Sequence, residues 1–456
     1  MCYNRPMSRK SDKMANWPVG KLLFSMGIPA VFSMLIQAMY NVVDSIYISQ
    51  YSQDGMFAIG LASPFQMIGF SIAMGTAVGV STLVSRRLGE QRREEANATA
   101  STGVILAFLH MLIVVFLGLF VSKPFLRIFT QRNEIVELGY QYLRICMGVS
   151  FGFFYSLLFE RMLQAQGNML FPMFAQLLGA VTNIVLDPVF IFGRFGMPEM
   201  GVVGAAVATV GGQILSGIFI TAVALLGKHE VKLKFHGMDL FEKERLKAIY
   251  SVGLPTAIMN MIGSFTTTLM NNILVRFSEE AVTSLSIYFK LQSFVFMPVF
   301  GFNQGALPIL SYNYGARNAE RYKNTVRIYI TTAVAIMIAG TLLFNFAPDL
   351  ILSFFTMTDS LKAISRVTLR IVSLSFVPAA CSIVFSTMYQ SFGKGVMSMT
   401  LSVLRQIGFL IPAAYILANI GLEAVWFSYP IAEVLVVAIF LPLIMKAYKK
   451  AFAQAV

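Results

Sequence analysis

The sequence predicts an all-α integral membrane protein of twelve transmembrane helices, arranged as two pseudo-symmetric six-helix lobes. Three observations carry that prediction: an apolar composition, a series of long uncharged runs, and an internal duplication. Of 456 residues, 57% are hydrophobic and 12% charged, and mean hydropathy is +0.70. Soluble chains carry roughly 25% charged residues, so much of this surface is expected to face lipid.

Eight uncharged runs define spans at 22–43, 56–85, 96–122, 162–186, 200–227, 248–275, 328–348 and 371–393. Each reaches or exceeds the roughly 20 residues that carry a helix across a bilayer. Four further spans, interrupted by isolated charges, lie near 139–161, 281–310, 396–418 and 423–445. The net charge of +13 does not point to nucleic acid, because its distribution follows the membrane. With both termini placed in the cytoplasm and the loops alternated, that side receives most of the Lys and Arg, the bias typical of multi-pass proteins. Membrane lipids are therefore partners and nucleic acid is not. The first 20 residues lack the uninterrupted apolar core of a cleavable signal. Cys2 lies at the terminus and Cys146 and Cys381 in apolar spans, which reads as packing rather than a disulfide framework.

The duplication is the most informative feature. Gly27-Ile28-Pro29 returns 226 residues later as Gly253-Leu254-Pro255. The same shift takes Gly75 to Gly301, Gly79 to Gly305 and Gly89 to Gly315, and carries Gln164 and Gly167 onto Gln390 and Gly393. Late in each half the shift falls to 220, pairing Gly201 with Gly421. We assign lobes to 1–227 and 249–456, joined by a charged linker at 228–248. Six helices per half is an even number, so both halves start on one side of the membrane. Such parallel repeats bind substrate between lobes and work by rocking. Pro29, early in the first helix, removes a backbone hydrogen bond and permits a bend, which makes it a gating candidate.

An ionisable side chain at membrane depth is costly and marks a functional candidate. Asp44, Glu160, Asp187, Lys290, Arg405 and Glu433 qualify, with His110 a weaker case. The repeat provides an internal control: Asp44 corresponds to Met270, Glu160 to Ser386, and Asp187 to Ile411 or Ala413. All three first-lobe acids lack a counterpart, which places a single ion site in that lobe. Helical spacing then gathers polar neighbours. Gln37, Tyr40, Asn41 and Asp44 form one stripe on span 1, Asn183 and Asp187 share a face of span 5, and Thr209 lies one turn from Gln213 on span 6. Carboxylates, an amide and a hydroxyl offer oxygen ligands for a small cation such as Na+. A desolvated carboxylate can equally carry a proton. The residues allow both readings.

Asp44 and Glu160 lie near span ends, where reaching out to water is the simpler explanation. Lys290 and Arg405 read as an ion pair or a carbonyl contact that steadies the bundle, with a counter-charge or substrate contact as the functional alternative, and Glu433 reads as a polar position shared with Gln213 across the repeat. His110 reads as a space-filling residue with one hydrogen bond. No HExxH, CxxC or GxSxG pattern occurs, so an enzyme is disfavoured and no cofactor beyond a coupling ion is implied.

The stretches GIPAVFSMLIQAMYNVVDSIYIS, GVSTLVSRRLGEQ, GALPILSYNYGARN and NIVLDP resemble the multidrug and toxic compound extrusion (MATE) family. The resemblance runs from about residue 18 to 446 and is closest to the DinF-type and MepA-like bacterial branch. It implies two six-helix bundles in a V, in the bacterial cytoplasmic membrane. It also implies H+- or Na+-coupled antiport of lipophilic, often cationic compounds by alternating access. The implied cation site falls on Asp44, Asn183, Asp187 and Thr209. An acidic residue of span 4 matches Glu160, which we assign to substrate together with Gln37, Tyr40 and Asn41. The alternative is a lipid-linked oligosaccharide flippase of the same superfamily. Such a protein needs several cavity arginines for pyrophosphate, and three first-lobe acids fit a cationic substrate better.

Overall fold

Backbone amides and carbonyls in a bilayer must be satisfied within the chain, so each long apolar run closes into a helix. The computed structural model describes residues 13–235, 239–355 and 357–453, and among these it contains helices and no strand. Cys2 and the basic residues before Lys13 lie outside the described residues.

In chain order the first half contains α1 (Val19–Tyr51), α2 (Gln53–Gly89), α3 (Arg93–Phe129), α4 (Asn133–Gly148 and Phe151–Ala165), α5 (Leu170–Ile191) and α6 (Val202–Leu226). The second contains α7 (Lys243–Leu274), α8 (Glu279–Gly315), α9 (Ala319–Phe346), α10 (Asp359–Ser373 and Phe376–Ser391), α11 (Gly395–Leu417) and α12 (Leu422–Phe452). Ten are long and apolar enough to cross a membrane singly, and two are helix pairs bent by 48°. Counting each bent pair as one span makes twelve. Large apolar side chains such as Phe116, Phe120 and Ile128 lie exposed on the outer faces, where lipid would cover them.

Two predicted boundaries need correction. The uncharged run 162–186 starts inside α4, and the turn to α5 falls after Ala165. α5 therefore continues to Ile191, which puts Asp187 within the helix. The predicted span 371–393 covers only the second arm of α10. Its first arm carries Lys362, Arg366 and Arg370, so a search for uncharged runs passes over it.

The duplication is visible in the backbone. Gln91 and Arg317 both have positive φ, at 60° and 53°, as do Gly167 and Gly393, at 79° and 73°. Ser52 and Ser278 cap α2 and α8 by accepting from Gly55 N and Ala281 N, at 3.0 and 3.1 Å. The bends of α4 and α10 are likewise equivalent.

The repeated glycines lie where the lobes meet. A Cβ on Gly75 would stand 2.6 Å from Gly253 O, and one on Gly253 would stand 2.6 Å from Gly75 O. Gly301 would place its Cβ 2.7 Å from Val31 N, while Gly27 packs on the ring of Phe302. Gly89 and Gly315 approach Tyr312 O and Arg86 O. The seam therefore joins the first half of α1 and the end of α2 to the start of α7 and the end of α8. These are the ends beside the chain termini, so the lobes are closed on the termini side. Pro29 lies within this seam, buried between Gly27 and Val31. Gly263, in the other half of α7, lines a cavity instead.

The segment after α6 is tied to the first lobe. Lys232 N and Lys234 N donate to Asn97 Oδ1 and Ser101 Oγ, each at 2.8 Å, and Thr102 Oγ1 donates to Leu240 O at 2.8 Å. Side chains of α3 thus substitute for a neighbouring strand.

Candidate functional site

Two adjoining cavities occupy the first lobe. One is lined by Gln37, Tyr40, Glu160, Gln176, Asn183 and Thr209, among others, and reaches Gln304 of the second lobe. The other adds Asn41 and Asp44. Gln37, Tyr40, Thr209 and Gln213 line both, so the polar stripe of α1 runs along a common space.

Helical geometry brings the predicted cation residues together. Asn183 and Asp187 lie one turn apart on α5, and Asn183 Nδ2 donates to Asp187 Oδ1 at 3.3 Å. The same amide reaches Thr209 Oγ1 of α6 at 3.4 Å. α6 can come this close because Gly212 abuts the backbone of α5, where any Cβ would stand 2.5 Å from Gly179 O. Asp187 is fully buried, and Asp44 of α1 lies within electrostatic reach of it.

The cluster is short of hydrogen-bond donors. Asp44 Oδ1, Asn183 Oδ1, Asp187 Oδ2 and Gln213 Oε1 are buried without a protein partner. Desolvated, unpartnered oxygens are costly, and four of them in one lobe make a set that a small cation or bound protons would satisfy. Among the described residues no group of three or more His, Cys, Asp or Glu could hold a metal ion. A cation here would rely on amide and hydroxyl oxygens beside the two carboxylates, the oxygen-rich surroundings suited to a hard ion.

Glu160 does not reach out to water, contrary to the simpler sequence reading. It is 4% exposed and accepts from Ser156 Oγ and Gln176 Nε2, both at 3.0 Å. Nor does it pair with Arg161, which donates to Gln164 Oε1 at 3.0 Å and contacts Met74 Sδ at 3.5 Å. Gln176 escaped the sequence reading. It lies on α5, and only the packing of α4 against α5 reveals it; the spacing of 176, 179/180 and 183 along one helical face was the available signal. The cavity beside Glu160 also presents Phe70, Phe153 and Met74, an apolar wall of the kind that drug-sized ligands meet.

The second lobe is different. Arg405 Nη1 stands 3.3 Å from Glu433 Oε1, and Ser382 Oγ donates to Glu433 Oε2 at 2.9 Å. Both charges are thus matched, Arg405 being carried on a π-helical stretch of α11 (Leu404–Leu410). Lys290 is exposed on α8. His110 departs from its space-filling reading. Its Nδ1 is hydrogen-bonded to Thr76 Oγ1 at 2.7 Å and its Nε2 to Tyr250 Oη at 2.9 Å, so the ring bridges two hydroxyls, and one nitrogen donates while the other accepts when it is neutral. Since His110 is on α3 and Tyr250 on α7, this bond crosses between lobes.

The sequence profile of the MatE family matches residues 29–189 and again 255–416. The chain belongs to the MatE family. Its two matched segments correspond to the two repeats. Relatives of this MatE chain include a probable multidrug resistance protein NorM of Thermotoga maritima, 28% identical, covering 78% of this chain and 76% of that protein. The multidrug export protein MepA of Staphylococcus aureus is 26% identical, with 91% of each chain covered. In three dimensions, a solved structure described as an outward-facing multidrug resistance MATE family transporter of the MOP superfamily superposes with TM-score 0.89. It is 25% identical and covers 97% of this chain and 98% of its own. The twelve-helix, two-lobed architecture is thus that of the family.

Proposed function

We propose that this MatE protein is a multidrug efflux transporter, exchanging lipophilic, often cationic compounds for H+ or Na+ across a bacterial cytoplasmic membrane. The observation that carries the proposal is the cluster of buried, unpartnered oxygens around Asp44, Asn183, Asp187 and Thr209, adjoining the cavity that holds Glu160. It has no acidic equivalent in the second lobe.

In this reading Asp187 is the main coupling residue. Asn183 and Thr209 orient it and complete the oxygen set, and Asp44 contributes the second charge. Glu160, Gln37, Tyr40 and Asn41 contact substrate. An organic cation about 4 Å from Glu160 gains roughly 4 kcal/mol of Coulomb attraction at an effective dielectric near 20, before desolvation. With the termini in the cytoplasm, closure on the termini side is the outward-open state. Residues 1–227 and 249–456 then rock about the seam, and Pro29 lets α1 bend as the seam opens. Coupling follows from competition: an ion that neutralises the acids weakens the hold on a cationic substrate, and the reverse.

The decisive experiment is transport of a fluorescent cationic dye by reconstituted protein, with sodium and pH gradients imposed separately. Dye movement driven by either gradient supports antiport and identifies the ion. Dye movement indifferent to both would overturn it.

A further inference from the structure

On the termini side the helix ends enclose a further space, a cleft that spans both lobes. On its first-lobe wall every arginine has a carboxylate partner. Glu90 takes Arg86 at 3.0 Å and Arg87 at 2.7 Å, while Glu95 pairs with Arg87 and Arg92. That wall holds three cations against two carboxylates. The second-lobe wall is not matched: Arg317, Lys394 and Lys450 arrive from three different helix ends, all exposed. Among the described residues none of the three has an acidic partner. Across the cleft the Arg86 guanidinium of one lobe lies 4.9 Å from the Tyr314 ring of the other.

The pseudo-symmetry makes this cleft informative, because its half-turn-related groove is filled. There Met14 packs beside Gly167, the equivalent of Gly393. Arg321 donates to Met14 O and Trp17 O at 2.9 and 3.0 Å, and its repeat equivalent is Glu95. The chain's own segment around Met14 occupies one groove through its backbone carbonyls. The other groove has exchanged that occupant for unmatched positive charge.

We propose that this cleft binds the phosphate group of an anionic phospholipid, and that the bound lipid ties the lobes together in the termini-side-closed state. A guanidinium fork and two ammonium groups suit a phosphodiester. The lipid source follows from position. The exposed apolar Ile439 and Leu443 lie eleven and seven residues before Lys450, on the same face of α12, giving acyl chains a path beside the headgroup, and basic residues at helix ends meet the anionic leaflet. A ligand held by Arg86 of one lobe and Lys394 and Lys450 of the other favours the state in which those residues are close. The binding step is independent of transport; the tie between lobes rests on the alternating access proposed above.

Native mass spectrometry and nanodisc measurements test both parts. Phosphatidylglycerol is expected to be retained over phosphatidylcholine. The triple variant Arg317→Gln/Lys394→Gln/Lys450→Gln should lower phosphatidylglycerol affinity by at least about tenfold. A control with the same charge removed on the same side, Lys243→Gln/Lys247→Gln/Lys323→Gln, should leave it unchanged. Equal losses in the two triples would reduce the effect to general surface charge and overturn the site. Inorganic phosphate competing at millimolar concentration in detergent would overturn the lipid assignment. For the conformational part, spin labels at Phe195→Cys and Asn419→Cys report the separation of the lobes opposite the seam. Phosphatidylglycerol should raise the open-side population in the parent and not in the first triple. Lipid binding without that shift would sink the tie while leaving the transport reading untouched.

Discussion

Asp187 illustrates how a residue's chemistry depends on what surrounds it. One oxygen is met by Asn183, the other by nothing in the protein, and the side chain is closed off from solvent. A group so placed responds strongly to an ion or proton and weakly to bulk water. Asp187→Asn should therefore abolish gradient-driven efflux while the protein still inserts and folds, as judged by a monodisperse peak and helical circular dichroism; efflux retained at parental rate would remove Asp187 from coupling. Glu160 makes a separate prediction. Glu160→Gln keeps the shape while removing the charge, so export of cationic dyes should weaken by about tenfold, equivalent to about 1.4 kcal/mol, while neutral substrates are spared. Parallel efflux assays on one dye of each kind decide the point, and equal loss of both would refute a charge-selective contact.

At the scale of elements, the seam is built by backbone approach. α2 and α7 meet so closely at Gly75 and Gly253 that a methyl group on either would fall within 2.6 Å of a carbonyl oxygen. Gly75→Val should therefore shift the population away from the termini-side-closed state, seen as a longer spin-label distance across the seam; an unchanged distance would show that the helices can part without cost. Beside that contact, the His110–Tyr250 bond joins α3 to α7 at 2.9 Å. One net hydrogen bond contributes about 1 kcal/mol. Tyr250→Phe should accordingly lower the closed-state population ratio about five-fold, and His110→Phe should do the same without an added effect in the double variant. Additive losses would mean that the two side chains act separately.

Over the whole molecule, the two lobes share a backbone and differ in their charge. The first holds unmatched acids in its cavities. The second pairs Arg405 with Glu433 in a cavity lined by Met270, the repeat equivalent of Asp44. If ion binding is local to the first lobe, Asp44→Asn and Thr209→Ala should alter the dependence of efflux on the ion gradient, whereas Met270→Ala should not. Measuring dye export against graded sodium and proton gradients tests this. A similar change from all three would indicate a site shared by both lobes.

The sequence by itself determined the class of the molecule and named most of the polar residues that line its first-lobe cavities. Apolar runs, whether uncharged or broken by isolated charges, are long-range averages, so lipid exposure and helix count follow from them. The 226-residue repeat likewise announced two lobes. Asp44, Asn183 and Asp187 were legible because helical spacing is a local rule and buried carboxylates are rare. Tertiary structure decided what depends on neighbours distant along the chain. The limits of α4, α5 and α10 depended on where packing, rather than composition, breaks the helix. The burial of Glu160 under Gln176, the pairing of Arg405 with Glu433, and the bond of His110 to the other lobe each join residues on different helices. Their distances are set by how helices pack, and no periodicity within one helix records that. The repeated glycines stand between the two: their recurrence was visible in sequence, and only the seam showed that each makes room for a backbone in the opposite lobe.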